Sequence, residues 1–172
     1  HVWAPDITLH NGTYYLYYSV SAFGKNTSAI GLVTNKTLNP NDENFKWEDQ
    51  GIVIQSVPNR DLWNAIDPNL IFDETGTPWL AFGSFWSGLK MVKLNDDLKT
   101  VAEPQEWYPI ARRERSSNFP DASAGDAALE GPFIFKKGDY YYQFLSWDYC
   151  CRGEKSTYKL VVGRSKSVTG PY

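Results

Sequence analysis

The sequence predicts an all-β protein, and specifically a β-propeller, from two observations. The first is a repeat, because Pro5, Pro68 and Pro132 lie 63 and 64 residues apart and each opens the same succession of segments. That succession is an apolar strand, a glycine-bearing turn, an aromatic strand ending in serine, and a further strand. The second is an aromatic content of 16%, since strand-rich proteins cover their sheets with aromatic side chains. A repeat of this length built from about four strands is typical of a propeller blade.

The first repeat, near residues 3–62, contains four predicted strands. Two runs of aromatic and β-branched residues flank Asn11 and Gly12, and this dipeptide accepts the positive φ of a tight hairpin turn. Residues 28–34 are predicted to form the third strand and residues 47–54 the fourth.

The second and third repeats, near residues 63–128 and 129–172, follow the same order. Each begins with a hairpin and continues into a third strand, and the chain ends where the fourth strand of the third repeat would begin. The predicted strands are residues 67–72, 78–84, 87–94 and 106–110 in the second repeat and residues 130–135, 140–146 and 158–164 in the third.

Composition excludes two classes of partner. A formal net charge of −3 and a pI near 5.4 argue against nucleic acid, which normally requires a basic face. No apolar run reaches the roughly 20 residues needed to span a bilayer, so we expect no membrane partner. The two cysteines, Cys150 and Cys151, are adjacent. They can form a vicinal disulfide, remain reduced and buried, or pair outside the chain, but they cannot complete a metal site without a second Cys or His pair.

Acidic residues recur beside the three prolines. The first strand of a propeller blade lines the central channel, so we expect Asp67 and Glu130 to project from neighbouring blades into one pocket, with Asp6 nearby. Pro68 is expected to hold Asp67 in an extended conformation. Carboxyls that converge in an aromatic cleft suit glycoside hydrolysis, in which one donates a proton and another activates water or attacks directly. Taken singly, each acid would more often cap a turn; recurrence at one phase of the repeat favours the functional interpretation.

The aromatic residues likewise divide into those expected to pack in the fold and those that are candidates for binding a sugar. Tyrosines that alternate within strands are expected to pack between blades. Trp3, Phe23, Phe85 and Trp86 are better candidates for sugar platforms, because they lie near strand starts or in loops.

Seven motifs spread over nearly the whole chain resemble glycoside hydrolase family 43, and within it most nearly the endo-1,5-α-L-arabinanases. They are Trp3-Ala-Pro-Asp6, Tyr17-Tyr-Ser19, Ser28-Ala-Ile-Gly31, Asn64-Ala-Ile-Asp67-Pro68, Gly83-Ser-Phe-Trp86-Ser-Gly88, Glu130-Gly-Pro132, and the segment from Tyr158 to Val168-Thr-Gly-Pro-Tyr172.

The resemblance implies a five-bladed propeller, of which this chain is the central part, about two and three-quarter blades. It implies inverting hydrolysis of α-1,5-linked L-arabinofuranose chains, with Glu130 as general acid and Asp67 as the residue that raises the pKa of that acid and orients it. Asp6 matches a recurrent family residue without an assigned chemical role. The resemblance implies substrate contacts by Trp3, Phe23, Gly24, Asn64, Ala65, Ile66, Ser84, Phe85 and Trp86.

Two parts of the family pattern fall outside these 172 residues. The family's general base is an Asp in the blade before Trp3-Ala-Pro-Asp6, and its metal ion, often calcium, is held at the channel through a His in a later blade. We therefore expect no cofactor within this chain, the remainder of the propeller as its partner, and no arabinan hydrolysis by the chain alone. The resemblance also implies a secreted or periplasmic location.

Two alternatives remain open. A relative within the family with β-xylosidase or α-L-arabinofuranosidase activity would differ by loops that block one end of the cleft, which also decide between mid-chain and chain-end cleavage. A non-catalytic carbohydrate-binding propeller would keep the aromatic residues but could lose the acids, so Asp67 and Glu130 together count against it.

Overall fold

The computed structural model describes all residues from His1 to Tyr172 and contains eleven strands in three antiparallel sheets. The single helix is a three-residue 3-10 turn, so no helix of the chain is long and apolar enough to cross a membrane. The strands are β1 (Val2–His10), β2 (Thr13–Val20), β3 (Ser28–Asn35), β4 (Glu48–Ser56), β5 (Asn69–Phe72), β6 (Pro78–Phe82), β7 (Leu89–Lys93), β8 (Tyr108–Ala111), β9 (Leu129–Lys137), β10 (Tyr140–Trp147) and β11 (Lys159–Ser165).

Each repeat folds as one sheet whose strands follow chain order. The sheets are β1-β2-β3-β4, β5-β6-β7-β8 and β9-β10-β11, every pairing being antiparallel. Two four-stranded sheets and one three-stranded sheet are the two and three-quarter blades expected, and the all-β propeller prediction is confirmed.

The predicted first hairpin is also confirmed. His10 pairs with Thr13, and the two turn residues between them, Asn11 and Gly12, have φ of 47° and 72°. An Asn-Gly pair adopts these positive φ values at low cost, and the turn then matches the right-handed twist of the flanking strands. Local sequence therefore sets the register of β1 against β2.

The hydrophobic core occupies the two spaces between successive sheets. Ile30 and Leu32 of β3 meet Leu80 and Phe82 of β6 in one fully buried cluster. A second cluster lies between the second and third sheets and contains Met91, Ile134 and Tyr141, among others. Truncating one such side chain to alanine costs about 2–5 kcal/mol, since the space it leaves is only partly refilled.

Hydrogen bonds at equivalent positions of the repeat tie each first strand to the next. The Leu70 N–H donates to Oδ2 of Asp6 at 2.9 Å, and the Ile134 N–H donates to Oδ1 of Asn69 at 2.8 Å. Asp6 and Asn69 both directly follow the repeated proline. The role that the structure assigns to Asp6 is thus an acceptor between blades, and it sets the position of β5 relative to β1.

Candidate active site

A cleft of about 820 Å³ opens where the first strands of the three sheets begin. All three sheets contribute to its walls, and so do the loops between the second and third strands of each. The residues singled out from the sequence that line it are Trp3, Asp6, Phe23, Gly24, Asn64, Ile66, Asp67, Ser84, Phe85, Trp86 and Glu130.

Three of the predicted substrate contacts differ in how they meet the cleft. Ala65 does not line it: the residue is fully buried in the core, and its N–H donates to Oγ of Ser56 at 3.0 Å. Trp86 is only 1% exposed and donates its Nε1–H to the Asp121 carbonyl at 2.9 Å, so it supports the wall from behind. Phe23, by contrast, is 80% exposed and offers a ring face.

The backbone of Asp67 departs from the extended conformation expected before proline, since its φ is 58°. Two contacts hold it there. The Asp67 N–H donates to Oγ of Ser19 in the preceding blade at 2.9 Å, and the Gly131 N–H in the following blade donates to Oδ2 of Asp67 at 3.0 Å. A non-glycine residue held at positive φ costs on the order of 1–3 kcal/mol and is a recurrent feature of functional sites. Contacts from both neighbouring blades thus override the local preference and aim this carboxyl into the cleft.

Burial and a second carboxyl both act on the protonation of Asp67. Burial raises the pKa of Asp67, and repulsion from Glu130 raises it further, to about 7, against a lowering hydrogen bond from Gly131. Because repulsion is mutual, a negative charge on either carboxyl favours a proton on the other.

Both carboxyl oxygens of Glu130 have hydroxyl partners. Ser84 donates its Oγ–H to Oε2 at 2.9 Å, and Tyr158 donates its O–H to Oε1 at 2.9 Å. Ser84 and Glu130 also form a β-bridge between the second and third sheets. The side chain of Glu130 is consequently held from two directions, by the blade before it and by the loop that leads into β11.

Tyr158 is a functional candidate that the substrate and catalytic assignments from sequence did not include. Burial raises the pKa of Tyr158 to about 12, with the charges of Glu130 and Asp67 adding to it and a hydrogen bond with Ser146 opposing it. The phenol therefore remains a donor throughout the neutral range. The serines that recur near the end of the second strand in every repeat, Ser19, Ser84 and Ser146, contact Asp67, Glu130 and Tyr158 respectively.

Of the three states open to the cysteines, the structure shows the vicinal disulfide: Cys150 and Cys151 are bonded to each other, and the chain has no free thiol. Cys150 is half-buried and Cys151 exposed, and both line the cleft together with Tyr149 and Arg152. These four residues were not among the predicted site residues.

The family resemblance places a ligand of the metal ion, a His, in a later blade, and the residues of this chain by themselves form no metal site. No group of three or more His, Cys, Asp or Glu side chains is arranged so that it could hold a metal ion. His10 stacks on Phe72, with ring centroids 4.7 Å apart, at the end of β1 opposite to the strand start that lines the cleft.

Comparison with known proteins identifies relatives of this chain. The model of the glycosyl hydrolases family 43 matches residues 1–172. The chain is 66% identical over all of its length to the extracellular exo-α-(1→5)-L-arabinofuranosidase of Cellvibrio japonicus, covering 50% of that protein. It is 49% identical to the extracellular endo-α-(1→5)-L-arabinanase 1 of Bacillus subtilis, with 99% of this chain and 48% of that protein covered.

A solved structure shows the same fold. The Cellvibrio cellulosa α-L-arabinanase complexed with arabinohexaose superimposes with a TM-score of 0.98 at 66% identity, over 100% of this chain and 55% of that one. The chain thus spans about half the length of the relatives it matches.

Proposed function

Because the chain belongs to glycosyl hydrolase family 43, we propose that it supplies the acid half of an active site that hydrolyses α-1,5-linked L-arabinofuranose chains. One observation carries the proposal: Asp67 and Glu130 come from adjacent blades into one aromatic-walled cleft, where burial and the charge of Glu130 raise the pKa of Asp67. The substrate class is supported by the relatives, which are named for α-(1→5)-arabinan chemistry, and by one related structure that holds arabinohexaose.

Glu130 serves as the general acid. Its protonated carboxyl gives the proton to the glycosidic oxygen as the bond to the anomeric carbon breaks, and the leaving sugar departs as an alcohol. Tyr158 and Ser84 hold both carboxyl oxygens, which limits the rotation of the side chain. After the proton has left, the same two hydroxyls donate to the resulting carboxylate and stabilise its charge.

Asp67 acts on Glu130 and does not attack the sugar. When Asp67 is ionised, its charge repels a negative charge on Glu130 and so favours a proton on that acid. Its own hydrogen bond from the Gly131 N–H fixes the direction of the carboxyl next to Glu130. In this scheme a water molecule, activated by a base from a blade outside this chain, attacks the opposite face of the anomeric carbon and inverts it.

The position of cleavage along the polymer is a separate question. The family motifs resemble endo-acting enzymes most nearly, whereas identity is higher with the exo-acting relative, 66% against 49% with the endo-acting one. The chain-end mode therefore stands as a second candidate, and the length of the first products separates the two. Both relatives are named as extracellular, which supports action outside the cell.

The test uses the full-length protein that contains this chain. Glu130→Gln keeps the shape of the side chain but removes the proton, so we expect arabinan hydrolysis to fall by about 100-fold or more. Glu43→Gln, on an exposed turn outside the cleft, is the matched control and should keep full activity.

A second substrate makes the assignment specific to a general acid. A dinitrophenyl α-L-arabinofuranoside has a leaving group that needs no proton, so Glu130→Gln should hydrolyse it nearly as fast as wild type. Equal rates of the variant and wild type on arabinan would refute the role of Glu130. Loss of activity on both substrates would show that Glu130 does something other than donate a proton.

A further inference from the structure

The three loops that join second and third strands occupy equivalent places in the repeat. They are residues 21–27, 83–88 and 148–158, and each lies beside the start of a first strand, as the pairings of Trp3 with Ser19 and Leu129 with Trp147 show. All three loops line the same cleft. The family resemblance implies substrate contacts in the first two loops only. In the third, the longest of them, Tyr158 contacts Glu130, and the other residues have no assigned role.

The neck of this third loop is closed by hydrogen bonds and ion pairs. The Thr157 N–H donates to the Tyr149 carbonyl at 2.9 Å, and the Tyr149 N–H donates to Oγ1 of Thr157 at 3.3 Å. The preceding residue, Asp148, forms ion pairs with Arg113 at 2.6 Å and with Lys159 at 2.7 Å. The loop is therefore anchored on both sides of its base.

Residues 149–152, which we call the disulfide turn, present two kinds of surface to the cleft. The Cys150–Cys151 disulfide is an apolar, polarisable face with no hydrogen-bond donor. Beside it the Arg152 guanidinium lies 3.9 Å from the centre of the Tyr149 ring, and its side chain is exposed. A furanose ring has the complementary character, with C–H faces for the apolar surface and hydroxyl oxygens for the guanidinium donors.

The loop that carries the disulfide turn also contacts the acid. Tyr158, at the end of the same loop, donates to Oε1 of Glu130 at 2.9 Å. Phe85, from the equivalent loop of the second blade, lies with its ring centroid 6.1 Å from that of Tyr149. A general acid must lie next to the oxygen that departs, so the wall beside Glu130 faces the leaving side of the scissile bond.

We propose that the disulfide turn binds the arabinofuranose unit on the leaving side of the cleaved bond, with Arg152 donating to its hydroxyls and the disulfide contacting its ring. This inference rests on the proposed arabinan hydrolysis. It makes residues 149–152 a determinant of affinity for the departing sugar and leaves proton transfer to Glu130.

Two substrates of the full-length protein test the proposal. One is an arabino-oligosaccharide, which has a sugar on the leaving side; the other is a nitrophenyl glycoside of arabinobiose, in which the aryl group replaces that sugar. We expect Arg152→Ala to lower kcat/KM for the oligosaccharide about tenfold, mainly through KM, and to change the aryl substrate by less than about twofold. Arg164→Ala is the matched control, because Arg164 also stacks on a tyrosine, at 4.7 Å from the Tyr140 ring, but lies outside the cleft.

The double variant Cys150→Ala with Cys151→Ala tests the apolar face separately, and unfolding curves establish that each variant is folded. A selective loss on the oligosaccharide in either folded variant supports the proposal. Equal effects on both substrates, or none on either, overturn it. If wild type fails to cleave arabinan at all, the proposed function itself falls, and that outcome is distinct from the other two.

Discussion

Replacing Asp67 by asparagine should stabilise the protein at alkaline pH. Asparagine keeps an oxygen that can accept the Gly131 N–H, which donates to Oδ2 of Asp67 at 3.0 Å. What the substitution removes is the cost of an ionised carboxyl that is buried and lies near Glu130. Those two effects raise the pKa of Asp67 from its ordinary value of 3.8 to about 7.

The size and sign follow from proton linkage. Between these two pKa values the folded protein retains a proton that the unfolded chain has released, so wild-type stability falls as pH rises from about 4 to about 7. At ~1.4 kcal/mol for each pH unit, the loss has a ceiling of about 4 kcal/mol. Asp67→Asn escapes this loss, so its advantage over wild type should be near zero at about pH 4 and should reach its full value above about pH 7.

The measurement is the free energy of unfolding by urea at about pH 4.5 and about pH 8, for wild type and Asp67→Asn. Asp73→Asn is the control of opposite sign. Burial alone would raise the pKa of Asp73. The hydrogen bonds that this carboxyl accepts, led by those from Trp79 and Thr75, outweigh burial and hold the pKa below its ordinary value. Its asparagine variant should therefore lose stability at the higher pH. An effect of Asp67→Asn that is the same at both pH values, or destabilising at the higher one, would refute the reasoning.

Two further substitutions test the contacts around the acids. Tyr158→Phe removes the donor to Oε1 of Glu130, so arabinan hydrolysis by the full-length protein should fall about tenfold, because the carboxylate that proton transfer creates loses a stabilising partner. An unchanged rate would leave Tyr158 a purely structural role. Asp6→Asn should unfold within about 0.5 kcal/mol of wild type, whereas Asp6→Ala should lose about 1–3 kcal/mol, since it strands the buried Leu70 N–H. Asn69 occupies the equivalent position in the next repeat and accepts the Ile134 N–H, so an asparagine at position 6 should keep the same contact. Equal losses of stability in both Asp6 variants would contradict this expectation.

The strands could be predicted because their signals are local and are repeated three times. The Asn11-Gly12 turn fixes one hairpin by its own backbone preference. The same reasoning misplaced smaller details. Strand β9 continues to Lys137, so that its turn is only Gly138 and Asp139, and the fourth strand of the first sheet begins at Glu48.

The candidate site could be predicted only as a set of residues at one phase of the repeat. That phase brought Asp67 and Glu130 to one cleft, as the structure has them. It could not supply the positive φ of Asp67, because a local rule for the residue before proline gives the opposite result. The family resemblance also placed Ala65 among the substrate contacts, although core packing takes its side chain away from the cleft.

The amino-acid sequence by itself determined the all-β architecture, the order of strands in each blade and the shared phase of the acids, because turn residues and strand periodicity act within a few residues of one another. Tertiary structure alone decided the conformation of Asp67, the partners of Glu130 and the place of the disulfide turn in the cleft wall. The contacts responsible join residues 28 to 64 positions apart, from Tyr158 with Glu130 to Gly131 with Asp67. Such contacts exist only once the blades have packed against each other, and they are strong enough there to override a local backbone preference.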